Sequence, residues 1–247
     1  SAVETITIAV DPCTGPLAEK MGQAFTKKNG IQVKVELAAC ANGIYRASTG
    51  DVDIGVSTQD VDLKSLPLGT TNIVIAKAPT IVLVNKTNPV NNLTLQQIKD
   101  ILSGKIKNWK DVGGKDLEIE NVLLQPCTTE IFAKKTVPYG SNIMCLVPEK
   151  KGNPVTDTNK LVEKNDGAMG LQICGYESPN VNVLTIDGYL PDENTVPVKY
   201  GFYQDYNVIV KGEPAGNVKA FIDFAMSPEG QGVVASMKHI RIKSNKE

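Results

Sequence analysis

The chain has 247 residues, a formal net charge of −1, and 41% hydrophobic against 21% charged side chains. That composition supports a packed core and gives no electrostatic basis for nucleic-acid binding through phosphate contacts. No apolar run approaches the roughly 18 residues of a membrane span.

The opening SAVETITIAV has neither the charged nor the apolar region of a secretory signal, so any such signal is expected to have been removed. Thr5 to Val10 alternates and is rich in β-formers, which predicts a strand. DPCTG then makes a turn, and PLAEKMGQAFTKKNG predicts a helix, with Pro16 at its start and Gly30 beyond its end. IQVKVEL is the second strand. ACANG turns the chain into the short helix GIYRAST, closed by Gly50, and VDIGVS is the third strand.

This strand–helix–strand–helix–strand run predicts an α/β lobe with a parallel sheet. Such sheets bind ligands beyond the C-terminal ends of their strands. Further on, TIVLVNKTNPV is a strand, and Thr94 caps a helix running to about Leu102, ahead of the only tryptophan, Trp109. ENVLLQPCTTEIFAKKTV repeats the opening device of an apolar strand, a cysteine-bearing turn and a helix. DTNKLVEKN predicts a helix capped by Asp157. VNVLTIDG and DYNVIVKG predict strands, and NVKAFIDFAMSPEGQGVVASM a pair of helices broken at Pro228. No repeat array or low-complexity tract is present.

Five cysteines leave at least one sulfur outside any internal disulfide, and a lone histidine, His239, argues against a His-based zinc site. His239 reads as a surface residue of the C-terminal tail. Asp11, before Pro12, reads as a turn former. No G-x-S-x-G, H-E-x-x-H or Walker motif supplies a nucleophile–base pair or a phosphate loop, so an enzyme is not expected.

The stretch NNLTLQQIKDILSGKIKNWKDVGG carries an LT-x-x-Q-I-x-x-I-L-x-G-K-I-x-x-W pattern. It resembles the phosphate-binding proteins of ABC transporters. GDVDIGVS, NDGAMG, VLTIDGYLPDENTV and FIDFAMSPEGQ match that family in the same order, so the resemblance covers essentially the whole chain. It implies an α/β, two-lobed (type II) periplasmic-binding-protein fold with two crossing strands as hinge. Residues 1–79 and 204–247 would form lobe one and 80–203 lobe two, with a small solute held between them. The implied protein is an extracytoplasmic monomer that serves an ABC membrane component or a membrane sensor and catalyses nothing.

The family's ligand turns match PCTG, ACANG, VST and PCTTE, which maps ligand contacts onto Cys13, Thr14, Cys40, Ala41, Asn42, Gly43, Ser57, Thr58, Cys127, Thr128 and Thr129. These turns depart from the family. The usual Ser-Gly-Thr-Arg-Glu is replaced by Pro126, Cys127, Thr128, Thr129 and Glu130, so its cation is gone, and Thr58 stands where an Arg or Asp is common. Phosphate capture normally uses charge-assisted contacts. Cys13, Cys40 and Cys127 would instead present three sulfurs to one cleft, suited to a thiophilic metal such as Cu(I) or to trivalent arsenic.

Other readings stay open beside this one. The cysteines can be apolar filler, or Cys13 and Cys40 can form a disulfide. In that case an ordinary phosphate-like oxyanion would be held by backbone N–H, Thr and Ser groups. A dithiol redox protein using Cys13 and Cys40 is a further alternative. Cys145 and Cys174 read either as a pair or as separate buried thiols.

Overall fold

The computed structural model describes residues 4–38, 42–125, 128 and 152–243. The chain folds into two compact units, Ser1–Ala78 with Gln204–Glu247, and Pro79–Tyr203. It passes from one to the other inside two strands, β4 (Thr70–Asn85) and β10 (Tyr203–Lys211).

The first unit is built on β1 (Thr5–Val10), β2 (Gln32–Leu37) and β3 (Ile54–Ser57). β2 and β3 both pair parallel with β1, Val10 standing opposite Leu37 and Ile8 opposite Ile54. The C-terminal ends of all three strands therefore lie at one edge of the sheet. β10 runs antiparallel to β3, with Asn207 opposite Ser57, and β4 follows it.

Helices cover both faces of this sheet. α1 (Gly15–Asn29) buries Leu17, Met21 and Phe25 against Ile6, Ile8 and Tyr206, together with Phe221 of α5 (Gly216–Met226) and Val234 of α6 (Pro228–Ser236). On the opposite face, Ile44 and Ala47 of α2 (Asn42–Thr49) pack on Ala9, Val52 and Ile209. α2 sits so close that a Cβ placed on Gly55 would lie 2.2 Å from the Gly43 carbonyl oxygen. Only a residue without a side chain fits there.

In the second unit, β4 pairs antiparallel with β7 (Ala168–Ile173) and β8 (Val181–Val183), and β6 (Glu120–Val122) lies parallel to β7. β5 (Asn92–Leu93) and β9 (Thr185–Ile186) form a separate parallel pair. α3 (Leu95–Leu102) starts as the sequence predicts, with Thr94 and Gln97 forming a reciprocal capping box. Trp109 is fully buried, and its indole N–H donates to the Gly167 carbonyl at 2.9 Å.

Two expectations are corrected. α4 (Pro154–Lys164) begins ahead of Asp157, because Asn153 accepts from the Val155 N–H and Pro154 takes the first helical position. His239 is 2% exposed rather than a surface residue, because β11 (Ile240–Arg241) pairs with Lys77 and Ala76 of β4 and draws it inward. Of the two readings left open for Cys174, the separate buried thiol holds, since it is buried and outside any disulfide, while Cys145 lies outside the described residues. No helix among the described residues is long and apolar enough to cross a membrane.

Candidate functional site

At the C-terminal edge of the first unit's parallel strands, the chain leaves β1 through Asp11-Pro12-Cys13-Thr14. Asp11 is 4% exposed. Its Oδ1 accepts the backbone N–H groups of Cys13 and Thr14, both at 2.8 Å, while the Asp11 N–H donates to Thr14 Oγ1 at 3.0 Å. Asp11 therefore closes the turn that leads into α1, as the turn-former reading expects. Burial raises its carboxyl above the ordinary range, while the hydrogen bonds from Thr14 and Cys13 oppose that shift.

Thr14 is fully buried, and its carbonyl accepts the Tyr206 hydroxyl at 2.6 Å. Cys13 is 6% exposed and disulfide-bonded. Its sulfur is therefore not a thiolate, and the expected trio of Cys13, Cys40 and Cys127 loses one donor. Cys40 and Cys127, like Ala41 and Thr129, lie outside the described residues. Among the described residues no three His, Cys, Asp or Glu side chains group into a metal site.

The other ends of the sheet edge carry the remaining first-unit candidates. Asn42 is exposed at the start of α2, and Gly43 is buried beside Ala9. Arg46 of the same helix is committed to Asp51 at 2.6 Å and Glu36 at 3.2 Å, so it braces α2 against β2.

At the end of β3, Ser57 Oγ accepts the Gln59 N–H at 3.1 Å. Thr58 is 3% exposed, and its hydroxyl has no hydrogen-bond partner among the described residues. A buried polar group left unmatched costs roughly 1–3 kcal/mol. The 57–59 turn is held from outside by Asn207 of β10, whose amide donates to the carbonyls of Ser57 (3.2 Å) and Gln59 (3.0 Å). Asn207 and Tyr206 escape sequence reasoning. Their only signal is a polar pair in the apolar strand DYNVIVKG.

The second unit places Thr128 beyond the C-terminal end of β6, fully buried, with its hydroxyl donating to the Gln125 carbonyl at 3.1 Å. Gln125 in turn donates to Gln172 Oε1 at 2.9 Å and to Thr158 Oγ1 at 3.3 Å. Gln172 donates to the Val155 carbonyl at 2.8 Å. This buried amide pair anchors the segment leaving β6 to both β7 and α4.

Strand-end turns that gather N–H and hydroxyl donors at one sheet edge define a small-molecule binding protein built on an open α/β sheet. Residues 1–229 match the model of the PBP superfamily domain, and the chain belongs to that periplasmic-binding-protein family. It is 27% identical to the phosphate-binding protein PstS of Bacillus subtilis over 98% of this chain and 82% of that one.

Among solved structures, it resembles a Clostridium perfringens substrate-binding protein assigned to phosphate ABC transport and solved with bound phosphate. That match has a TM-score of 0.84 and 28% identity, and covers 97% of this chain and all of the other. An ABC-type phosphate transport receptor from Vibrio cholerae shares the fold, with a TM-score of 0.77 and 21% identity over 96% of this chain and all of the other. The fold is thus the α/β, two-lobed one of periplasmic binding proteins.

Proposed function

We propose that the chain is the solute-binding component of an ABC transport system and takes inorganic phosphate or a closely similar tetrahedral oxyanion. The observation that carries this is the buried, unpartnered hydroxyl of Thr58 at the edge where β1, β2 and β3 end. The likeness over almost the whole chain to a protein solved with bound phosphate supports it. On this reading the ligand is held by neutral donors, with Ser57, Thr58 and the start of α2 contributing from the first unit.

The disulfide at Cys13 favours this reading over capture of a thiophilic metal or metalloid, because disulfide sulfur is a poor ligand beside a thiolate. The protein acts by binding alone, outside the cytoplasm, and passes its ligand to a membrane component. Thermal unfolding with and without phosphate, sulfate and arsenite tests this directly. Phosphate at 100 times Kd adds about 2.7 kcal/mol of stability, so an upward shift is expected with phosphate and none with arsenite. No shift at millimolar phosphate would overturn the proposal.

A further inference from the structure

We propose that Asp11 sets the strength of anion capture in the first unit, its carboxylate standing in for an anion on the turn that joins β1 to α1, so that binding of an oxyanion at this sheet edge is coupled to uptake of a proton by that carboxylate. This rests on the oxyanion reading above and adds to it the residue that limits affinity. Backbone N–H groups of the turn between a strand end and the following helix are donors an oxyanion can take at such an edge. Here the N–H groups of Cys13 and Thr14 both point at Asp11 Oδ1 at 2.8 Å, and the Thr14 hydroxyl lies 3.1 Å from the same oxygen. Those donors already serve an internal anion.

Asp11 is buried, so a second negative charge brought to the same edge is weakly screened. The charged groups on the neighbouring elements do not relieve it. Arg46 of α2 is held by Glu36 and Asp51, and Lys77 of β4 pairs with Asp205 of β10 at 2.8 Å. Asp53 accepts from the Thr7 N–H on β1, three residues before the end of that strand. Tyr206 faces the same turn and donates its hydroxyl hydrogen bond to the Thr14 carbonyl. Thr58 supplies the separate, uncommitted donor at which the anion can enter without displacing Asp11.

A like charge close by raises a carboxyl pKa by about one unit or more. By reciprocity, adding a proton to Asp11 tightens anion binding by the same factor, about tenfold. The proton comes from solvent, adds to a carboxylate oxygen and leaves again when the anion is released.

The test is isothermal titration of the full chain with inorganic phosphate, between pH 5 and 8, in two buffers of different ionisation enthalpy. Wild type is compared with Asp11→Asn and Asp11→Ser. Both replacements keep an oxygen that can close the turn and remove the charge. Phosphate's own titration is common to all three proteins and cancels in the ratio of their Kd values. At the alkaline end the variants should bind about tenfold more tightly than wild type, the ratio should narrow as pH falls, and the variants should take up less proton than wild type.

Equal Kd values and equal proton uptake across the range would overturn the proposal and leave the phosphate reading standing. Absence of binding in all three would overturn both.

Discussion

The hydroxyl of Tyr206 donates to the carbonyl oxygen of Thr14 at 2.6 Å, joining a residue of β10 to the start of α1 across 192 positions of sequence. Both residues are almost completely buried. The turn at the head of α1 is thereby fixed from below by a strand that comes near the end of the chain.

Replacing Tyr206 by Phe keeps the packing and removes that bond. The Thr14 carbonyl still accepts the Ala18 N–H at 3.2 Å, so the loss should fall within about 0.5–1.5 kcal/mol. Urea unfolding of the two proteins measures it. A variant as stable as wild type would show that the hydroxyl contributes nothing to holding the turn.

Gly55→Ala should cost more. Its new methyl would stand 2.2 Å from the Gly43 carbonyl oxygen and 3.0 Å from the Ala47 side chain, so α2 must move off the sheet. Overpacking of this kind costs about 1–3 kcal/mol. Because Asn42 and Gly43 begin the displaced helix, phosphate affinity should fall together with the melting temperature. A variant that melts and binds like wild type would contradict the close approach of α2 to β3.

His239 should give the fold an acid limb. Burial lowers its pKa from the ordinary 6.5 to about 4, opposed by its ring contact with the Met237 carbonyl. A histidine held neutral in the folded state stabilises fully above the unfolded pKa. That contribution is lost as pH falls from 6.5 to about 4, and below that both states carry the proton. The span corresponds to about 3 kcal/mol. Denaturation curves between about pH 7 and pH 4 should show that decline in wild type and a flatter course in His239→Gln. Parallel curves would mean that His239 is protonated in the folded protein.

Much of the fold was legible because its signals are local. The Thr94–Gln97 capping box, the Pro228 break between α5 and α6, and alternation in β1 all lie within a few residues of the structure they determine. The recurring strand–turn–helix device also placed the candidate turns of the first unit at one sheet edge.

What the sequence concealed depends on distant pairing. His239 looked like tail because nothing near it reveals that Ile240 will pair with β4. Asn207 and Tyr206 looked like polar interruptions of an apolar strand, yet they hold the two turns that bear Thr58 and Thr14. Asp157 looked like the cap of α4 because it opens the run DTNKLVEKN, yet the proline directly after Asn153 is the stronger start signal. The cysteines left alternatives open for a chemical reason. A sulfur at a ligand turn reads the same whether it is a thiolate or half of a disulfide, and Cys13 is the latter.

The central claim is that an oxyanion is held at the edge bearing Thr58, and the affinity of Thr58→Val for phosphate tests it most directly. Valine is close to threonine in shape and removes only the hydroxyl that has no partner among the described residues. Relieved of an unmatched buried polar group, the unliganded variant should be no less stable than wild type. Its phosphate Kd, by titration calorimetry, should rise about tenfold, the equivalent of one hydrogen bond to a charged ligand. A Thr58→Val protein that binds phosphate as tightly as wild type would contradict the account.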